Sequence, residues 1–147
     1  ADCAPVLIYD PANDLISAIH AGWKGAYKQI ISRTLKKFKS NGSNLNDLIA
    51  VIGPCISKNN YEVRKDFLKK FITKGKSNKK FFNYKNNKIF FSLNGYIKHN
   101  LLNLGVKNIE IIKKDTYKKS NKFFSARRSI KDKEHDYGRN ISVIMIK

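Results

Sequence analysis

Cysteine is scarce: Cys3 and Cys55 are the only two in 147 residues. That is too few for a disulfide framework, so a reducing, cytoplasmic setting is expected. No apolar run approaches the roughly 18 residues that a membrane-spanning helix requires. No basic-then-apolar signal pattern opens the chain either, so neither membrane insertion nor secretion is expected. Proline (three), tryptophan (one) and methionine (one) are rare, and only 11 acidic residues face 30 basic ones, for a formal net charge of +19. Hydrophobic residues are plentiful at 41%, with 12% aromatic. A chain of this length can therefore build the core of one domain, and residues 1–147 are read as a single unit.

A basic excess of this size ordinarily points to nucleic acid. Its make-up argues otherwise, because 25 of the basic residues are lysine and only 5 arginine, whereas base-edge and bidentate phosphate recognition favour arginine. Lys, Asn and Ile, all encodable by A/T-only codons, together fill about two fifths of the chain, so genome composition accounts for much of the charge. No specific nucleic-acid partner and no membrane is expected. Anionic small molecules and salt-sensitive nonspecific binding are.

Hydrophobic patterning alternates between strand and helix. Pro5–Tyr9 and Leu15–Ile19 flank the turn residues Asp10-Pro11-Ala12-Asn13-Asp14, which predicts a hairpin. Ala21–Gly25 reads as a tight loop. Ala26, Ile30, Ile31, Leu35 and Phe38 then recur at helical spacing until Ser40-Asn41-Gly42. Leu48–Ile52 reads as a strand buried on both faces, and Val63, Phe67, Leu68 and Phe71 form a helical stripe capped at Asn59 or Asn60. Thr73–Lys88 is a Lys/Asn-rich surface excursion. Ile89–Phe91, Asn108–Ile112 and Ile141–Ile146 are predicted strands, with a helix from Asn94 between the first two. The fold class is α/β with a mixed sheet. The chain begins Ala1-Asp2-Cys3 with no initiator Met and is expected to be a piece of something longer.

Three places hold reactive groups. If the first two strands pair, Cys3 and His20 return to the same sheet end, where a thiolate and an imidazole suit zinc or make a nucleophile and base; a buried thiol beside a polar strand end is the plainer reading. Gly22 and Gly25 precede a helix and favour an anion. There Lys24 adds charge, and Trp23 offers either a stacking face or a core plug. Cys55 follows a strand, as a ligand residue or an inert thiol. Arg127, Arg128 and Arg139 are three of only five arginines, so at least one is expected to hold phosphate or carboxylate. His99 and His135 are read as solvated. No Walker, dinucleotide-glycine or CxxC motif is present.

The segments Ala1-Asp2-Cys3, Pro5-Val6-Leu7, His20-Ala21-Gly22-Trp23-Lys24-Gly25, Ile52-Gly53-Pro54-Cys55-Ile56, Tyr61-Glu62-Val63, Phe124-Ser125-Ala126-Arg127-Arg128 and Gly138-Arg139 occur in one order along almost the whole chain. In this the sequence resembles the YfiH-like proteins, long labelled multicopper polyphenol oxidases or laccases and since described as purine nucleoside phosphorylases. The resemblance implies a mixed-sheet α/β sandwich shared with a toxin deamidase domain. It further implies phosphorolysis of adenosine, inosine and methylthioadenosine to base and ribose 1-phosphate, with adenosine deamination as a second activity. Two histidines and a cysteine hold zinc in that family. Cys3 and His20 match two of those positions, and the third lies upstream of Ala1. Lys24 and Arg127 are the matching candidates for phosphate.

The chain departs from the family pattern in having Lys24 for arginine, Ala126 for an aromatic residue, and Asp115-Thr116 for Cys-Thr. A multicopper centre is disfavoured, because two cysteines, three histidines and one methionine cannot furnish its ligands. Two further readings remain: a metal-free Cys-His hydrolase or amidase, and a basic, degenerate binding module without catalysis.

Overall fold

A computed structural model describes residues 1–146. Strand β1 (Ala4–Asp10) turns into the antiparallel β2 (Leu15–Ala21). At the turn the Asp10 carboxylate accepts from Ala12 N (2.9 Å) and Asn13 Nδ2 (2.8 Å), the local bonding that makes Asx residues turn formers. β1 also pairs antiparallel with β3 (Ile49–Ile52), which runs parallel to β7 (Asn108–Ile111), giving the order β2-β1-β3-β7. The parallel step is closed by a long excursion that contains a second, antiparallel sheet. That sheet has the order β4-β6-β5, formed by Glu62–Val63, Lys88–Phe91 and Phe82–Lys85.

Side chains alternate across each strand. Ala4, Val6 and Ile8 point to one face of the main sheet and are fully buried. They pack under helix α2 (Ile30–Ser40), which contributes Ile31, Leu35 and Phe38, and under α4 (Leu93–Asn103), which contributes Leu93, Ile97 and Leu101. Helix α3 (Lys65–Lys74) links the two sheets through aromatic rings. Phe71 stacks on Phe67 at 4.8 Å between centroids, meets Phe91 at 4.8 Å and meets Tyr96 edge-on at 5.1 Å. The opposite face of the main sheet carries Pro5, Leu7, Ala18 and Val51 in one register row or beside it. That face is mixed, since His20, Asn108 and Glu110 lie on it too.

The mixed sheet and the opening hairpin match the sequence reading, and six local expectations are corrected. The strand at Leu48–Ile52 is buried on one face only, with Ile49 exposed. Thr73–Lys88 is not all excursion, because α3 runs to Lys74 and Phe82–Lys85 pairs with Lys88–Phe91. Ala21–Gly25 is not all loop: a one-turn helix α1 (Trp23–Tyr27) starts inside it. Ala26 N donates to Gly22 O at 2.9 Å, and the packing of Trp23 on Phe67 (4.9 Å) outweighs the poor helix propensity of Gly25. The helical stripe is not continuous, since Gln29 takes a left-handed φ of 64° and separates α1 from α2. The stripe of Phe67 and Phe71 begins at Lys65 rather than after Asn59 or Asn60, because Glu62–Val63 is drawn into the second sheet. Ile141–Ile146 forms no strand: Ile141, Val143 and Met145 are 88%, 71% and 79% exposed. Its β propensity has no pairing partner among the described residues.

Truncating Phe71, fully buried amid these rings, removes a ring that cannot be replaced by collapse of its neighbours. Phe71→Ala is expected to lower stability by about 3–5 kcal/mol, measured by urea unfolding. A loss below about 1 kcal/mol would show that the aromatic cluster does not join the two sheets.

Candidate metal and phosphate site

The β1–β2 register places Pro5 opposite His20 and Ala4 opposite Ala21. Since Ala4 and Ala21 face the core, Cys3 and His20 project together on the other face. Gly22 lies between them. A methyl group on Gly22 would meet Cys3 Sγ at 2.6 Å and His20 Nε2 at 3.8 Å. The thiol and imidazole thus converge on one point that only the absence of a side chain leaves open. Cys3 is half-buried and His20 exposed, beside a recess of about 380 Å³ that Leu7, Pro54, Phe123 and Asn140 also line. Burial raises the Cys3 thiol above its ordinary value, with smaller influences from the chain's amino group (lowering) and Asp2 (raising).

Asp2, in a left-handed conformation (φ 68°), fastens this strand end to the rest of the molecule. Its carboxylate accepts from Thr116 Oγ1 (2.6 Å), Ser125 Oγ (3.0 Å) and Arg127 N (2.7 Å), and its carbonyl accepts from Ile56 N (3.1 Å). Arg127 lies in helix α5 (Ala126–Lys131), whose N-cap hydroxyl, Ser125 Oγ, also accepts from Arg128 N. Arg127 Nη1 donates to Glu62 O at 2.8 Å, and the guanidinium sits over Tyr61 at 5.5 Å. Lys24 is exposed, its ammonium 5.7 Å from the Trp23 ring centroid.

The structure therefore brings Cys3 and His20 together, and places Arg127 at a neighbouring recess lined by Trp23, Tyr61 and Phe67. Arg64 also lines that recess, whereas the other two arginines singled out in the sequence are engaged elsewhere. Arg128 spends its donors on the carbonyls of Thr116, Tyr117 and Phe123, and Arg139 is exposed beside Asp136 and Tyr137. Cys55 is buried and its thiol is pushed up to about 12, first by desolvation and then by Asp115. It is an inert thiol at neutral pH. His99 lies beside Lys80 and Asn103, and His135 is exposed, both away from the Cys3 end.

Two residues that matter here had no role in the sequence reading. Asp2 was part of a motif, but nothing local marked it as a hub. Asp115 is buried, accepting from Ser57 N, Ser57 Oγ (2.6 Å), Asn60 Nδ2 (2.6 Å) and Tyr117 N (2.9 Å). It also bridges to Cys55 alongside the Thr116 N to Cys55 O bond of 3.2 Å. Burial pushes its carboxyl upward, but the bonds from Ser57, Asn60 and Tyr117 together outweigh this and hold it below the ordinary 3.8.

A mixed α/β sheet opened by an antiparallel hairpin is a fold that this chain shares with solved structures. The chain belongs to the family described as multi-copper polyphenol oxidoreductase laccase, whose profile matches residues 1–147. It is 41% identical over 150 residues to a protein of Rickettsia conorii named purine nucleoside phosphorylase, covering 100% of this chain and 61% of that one. A namesake in Rickettsia prowazekii is 40% identical, covering 88% and 54%. Among solved structures, YfiH of Bacillus licheniformis superposes with a TM-score of 0.81 at 32% identity, covering 88% of this chain and 51% of that one. A Neisseria meningitidis protein superposes at 0.78 and 29%, covering 87% and 52%. The chain thus spans between half and two thirds of the length of these relatives.

The metal implied by the family fits only in part. Cys3 and His20 supply one soft and one borderline donor around a space that a Cβ would fill, which suits zinc. Among the described residues no group of three or more His, Cys, Asp or Glu side chains comes together, so the many ligands of a multicopper centre are not assembled.

Gly22→Ala is expected to push Cys3 Sγ aside and to change its rate of alkylation at least severalfold while the circular dichroism spectrum is kept; timed labelling of the half-buried Cys3 against the buried Cys55 gives the answer. For Asp115, a lowered carboxyl contributes stability above its ordinary value and loses it as pH falls through the folded value. Asp115→Asn should therefore cost about 1–3 kcal/mol at neutral pH. The gap to the parent should narrow in acid, as urea unfolding at a series of pH values will show.

Proposed function

We propose that this chain carries the metal half-site of a zinc-dependent purine nucleoside phosphorylase. Its substrates would be adenosine, inosine and methylthioadenosine, with adenosine deamination as a secondary activity. The observation that carries the reading is the convergence of Cys3 Sγ and His20 Nε2 over Gly22, in a chain whose relatives bear the phosphorylase name. In phosphorolysis a phosphate oxygen bonds to the ribose anomeric carbon, the glycosidic C–N bond breaks, and the base leaves with a proton as ribose 1-phosphate forms. Zinc held by Cys3 and His20 would supply Lewis acidity.

The chain's own groups set the rest. His20 and Cys3 would hold the ion. Arg127 offers the N–H donors not spent on Glu62 O, and Lys24 offers a mobile charge, so that phosphate meets positive potential near the anomeric carbon. Asp2 joins the two halves, since the residue beside Cys3 holds the backbone of Arg127. The metal-free hydrolase is the weaker reading. It needs a thiolate formed at neutral pH, whereas burial raises the Cys3 thiol.

Turnover of adenosine in the presence of phosphate, with ribose 1-phosphate measured directly, tests the proposal. Cys3→Ser and His20→Ala are expected to reduce turnover to the uncatalysed background, with bound zinc lost in parallel. Turnover that survives a strong chelator, dies on thiol alkylation and releases no ribose 1-phosphate would replace this reading with the hydrolase.

A further inference from the structure

The recess beside Arg127 has a character of its own. Its volume of about 480 Å³ falls in the range of small-molecule sites. Its wall is aromatic: Trp23 and Phe67 meet at 4.9 Å with planes 58° apart, and Tyr61 stands edge-on to Phe67 at 6.3 Å. Its charges are mainly positive. Arg64 and Arg127 line it, with Arg127 over Tyr61 at 5.5 Å, and beside it the ammonium groups of Lys70 and Lys24 stand 5.5 and 5.7 Å from the Trp23 centroid. Of the two carboxylates on the rim, Glu62 is paired with Lys88 at 2.9 Å, and Asp66 is left.

Arg127 is held for this task from both ends. Its backbone N–H is fixed on Asp2 at 2.7 Å and one guanidinium N–H on Glu62 O at 2.8 Å, so the donors that remain are aimed without further loss of freedom. The recess beside Cys3 and His20, by contrast, is lined by no lysine or arginine among the described residues.

We infer that the Trp23–Tyr61–Phe67 recess is a site for a purine mononucleotide, with the base against the aromatic wall and the phosphate on Arg127 with Lys70. Flat π-faces beside a guanidinium are the chemistry that stacks a nucleobase and pairs with its phosphate. Neither group alone uses both features of the recess. The inference shares Arg127 and Lys24 with the phosphorolytic reading, but needs neither its metal nor its bond cleavage.

Trp23 is the only tryptophan, so its fluorescence reports this recess alone. Titration with adenosine 5′-monophosphate is expected to quench it saturably. Adenosine should bind about tenfold more weakly or worse, and inorganic phosphate should leave the emission unchanged. Arg127→Gln should weaken the nucleotide about tenfold or more, and Lys70→Gln, on the exposed side of α3, should weaken it by a smaller factor with no threat to folding. His20→Ala should leave nucleotide affinity intact even where it abolishes phosphorolysis, so the two readings stand or fall separately. Three results would overturn the assignment: no quenching at millimolar nucleotide, an equal response to adenosine or phosphate, or undiminished affinity in both Arg127→Gln and Lys70→Gln.

Discussion

The carboxylate of Asp2 lies where four segments distant in sequence meet, and the geometry of the candidate site follows from how its lone pairs are shared. One oxygen takes the Thr116 hydroxyl; the other takes the Ser125 hydroxyl and the Arg127 amide. Hydrogen bonds to an ionised carboxylate are each worth about 1.5–3 kcal/mol, and removing the acceptor strands all three donors. The left-handed backbone at Asp2 is a strain of order 1 kcal/mol or more that these bonds offset. In return, the residue next to Cys3 is locked to the start of α5. The strand end that presents sulfur and the helix that presents a guanidinium cannot shift independently.

Asp115 repeats the device a short distance away. It gathers Ser57, Asn60 and Tyr117 around the end of β3 and sets Thr116 where its hydroxyl can reach Asp2. The departure from the family's Cys-Thr pair at this point thus has a structural use in this chain: an acceptor-only group replaces a thiol, and its neighbours are donors. Arg128 completes the region by clamping three carbonyls. One buried carboxylate, one half-buried carboxylate and one guanidinium do what a larger core would otherwise have to do for loops rich in lysine and asparagine.

How far the sequence discloses this depends on the range of the interaction. The hairpin was legible because alternation, Asp10 and Asn13 are all local, and with it came the meeting of Cys3 and His20, which needs only the register of two neighbouring strands. The one-turn helix at Trp23 was not legible. Its stability comes from Phe67, more than forty positions away, against the local preference of two glycines. The roles of Asp2 and Asp115 were hidden for the same reason, since their partners lie up to 125 residues off. Ile141–Ile146 shows the converse: a local pattern strong enough to read as a strand needs an edge to pair with, and no described strand provides one.

The charge of +19 finds its meaning in distribution rather than sum. Lysines on the exposed faces of α2 and α3 are solvated and screened at physiological salt, whereas Arg127 is fixed, half-buried and next to π-faces. A screened ammonium raises the local concentration of any anion; a preorganised guanidinium selects among them by shape. The two recesses divide the chemistry along this line. Among the described residues, one presents sulfur and imidazole with no lysine or arginine, and the other presents cations and rings with neither sulfur nor imidazole. The residue between Cys3 and the amino end joins them through a single carboxylate, whose bonds fix the strand end on one side and the start of α5 on the other.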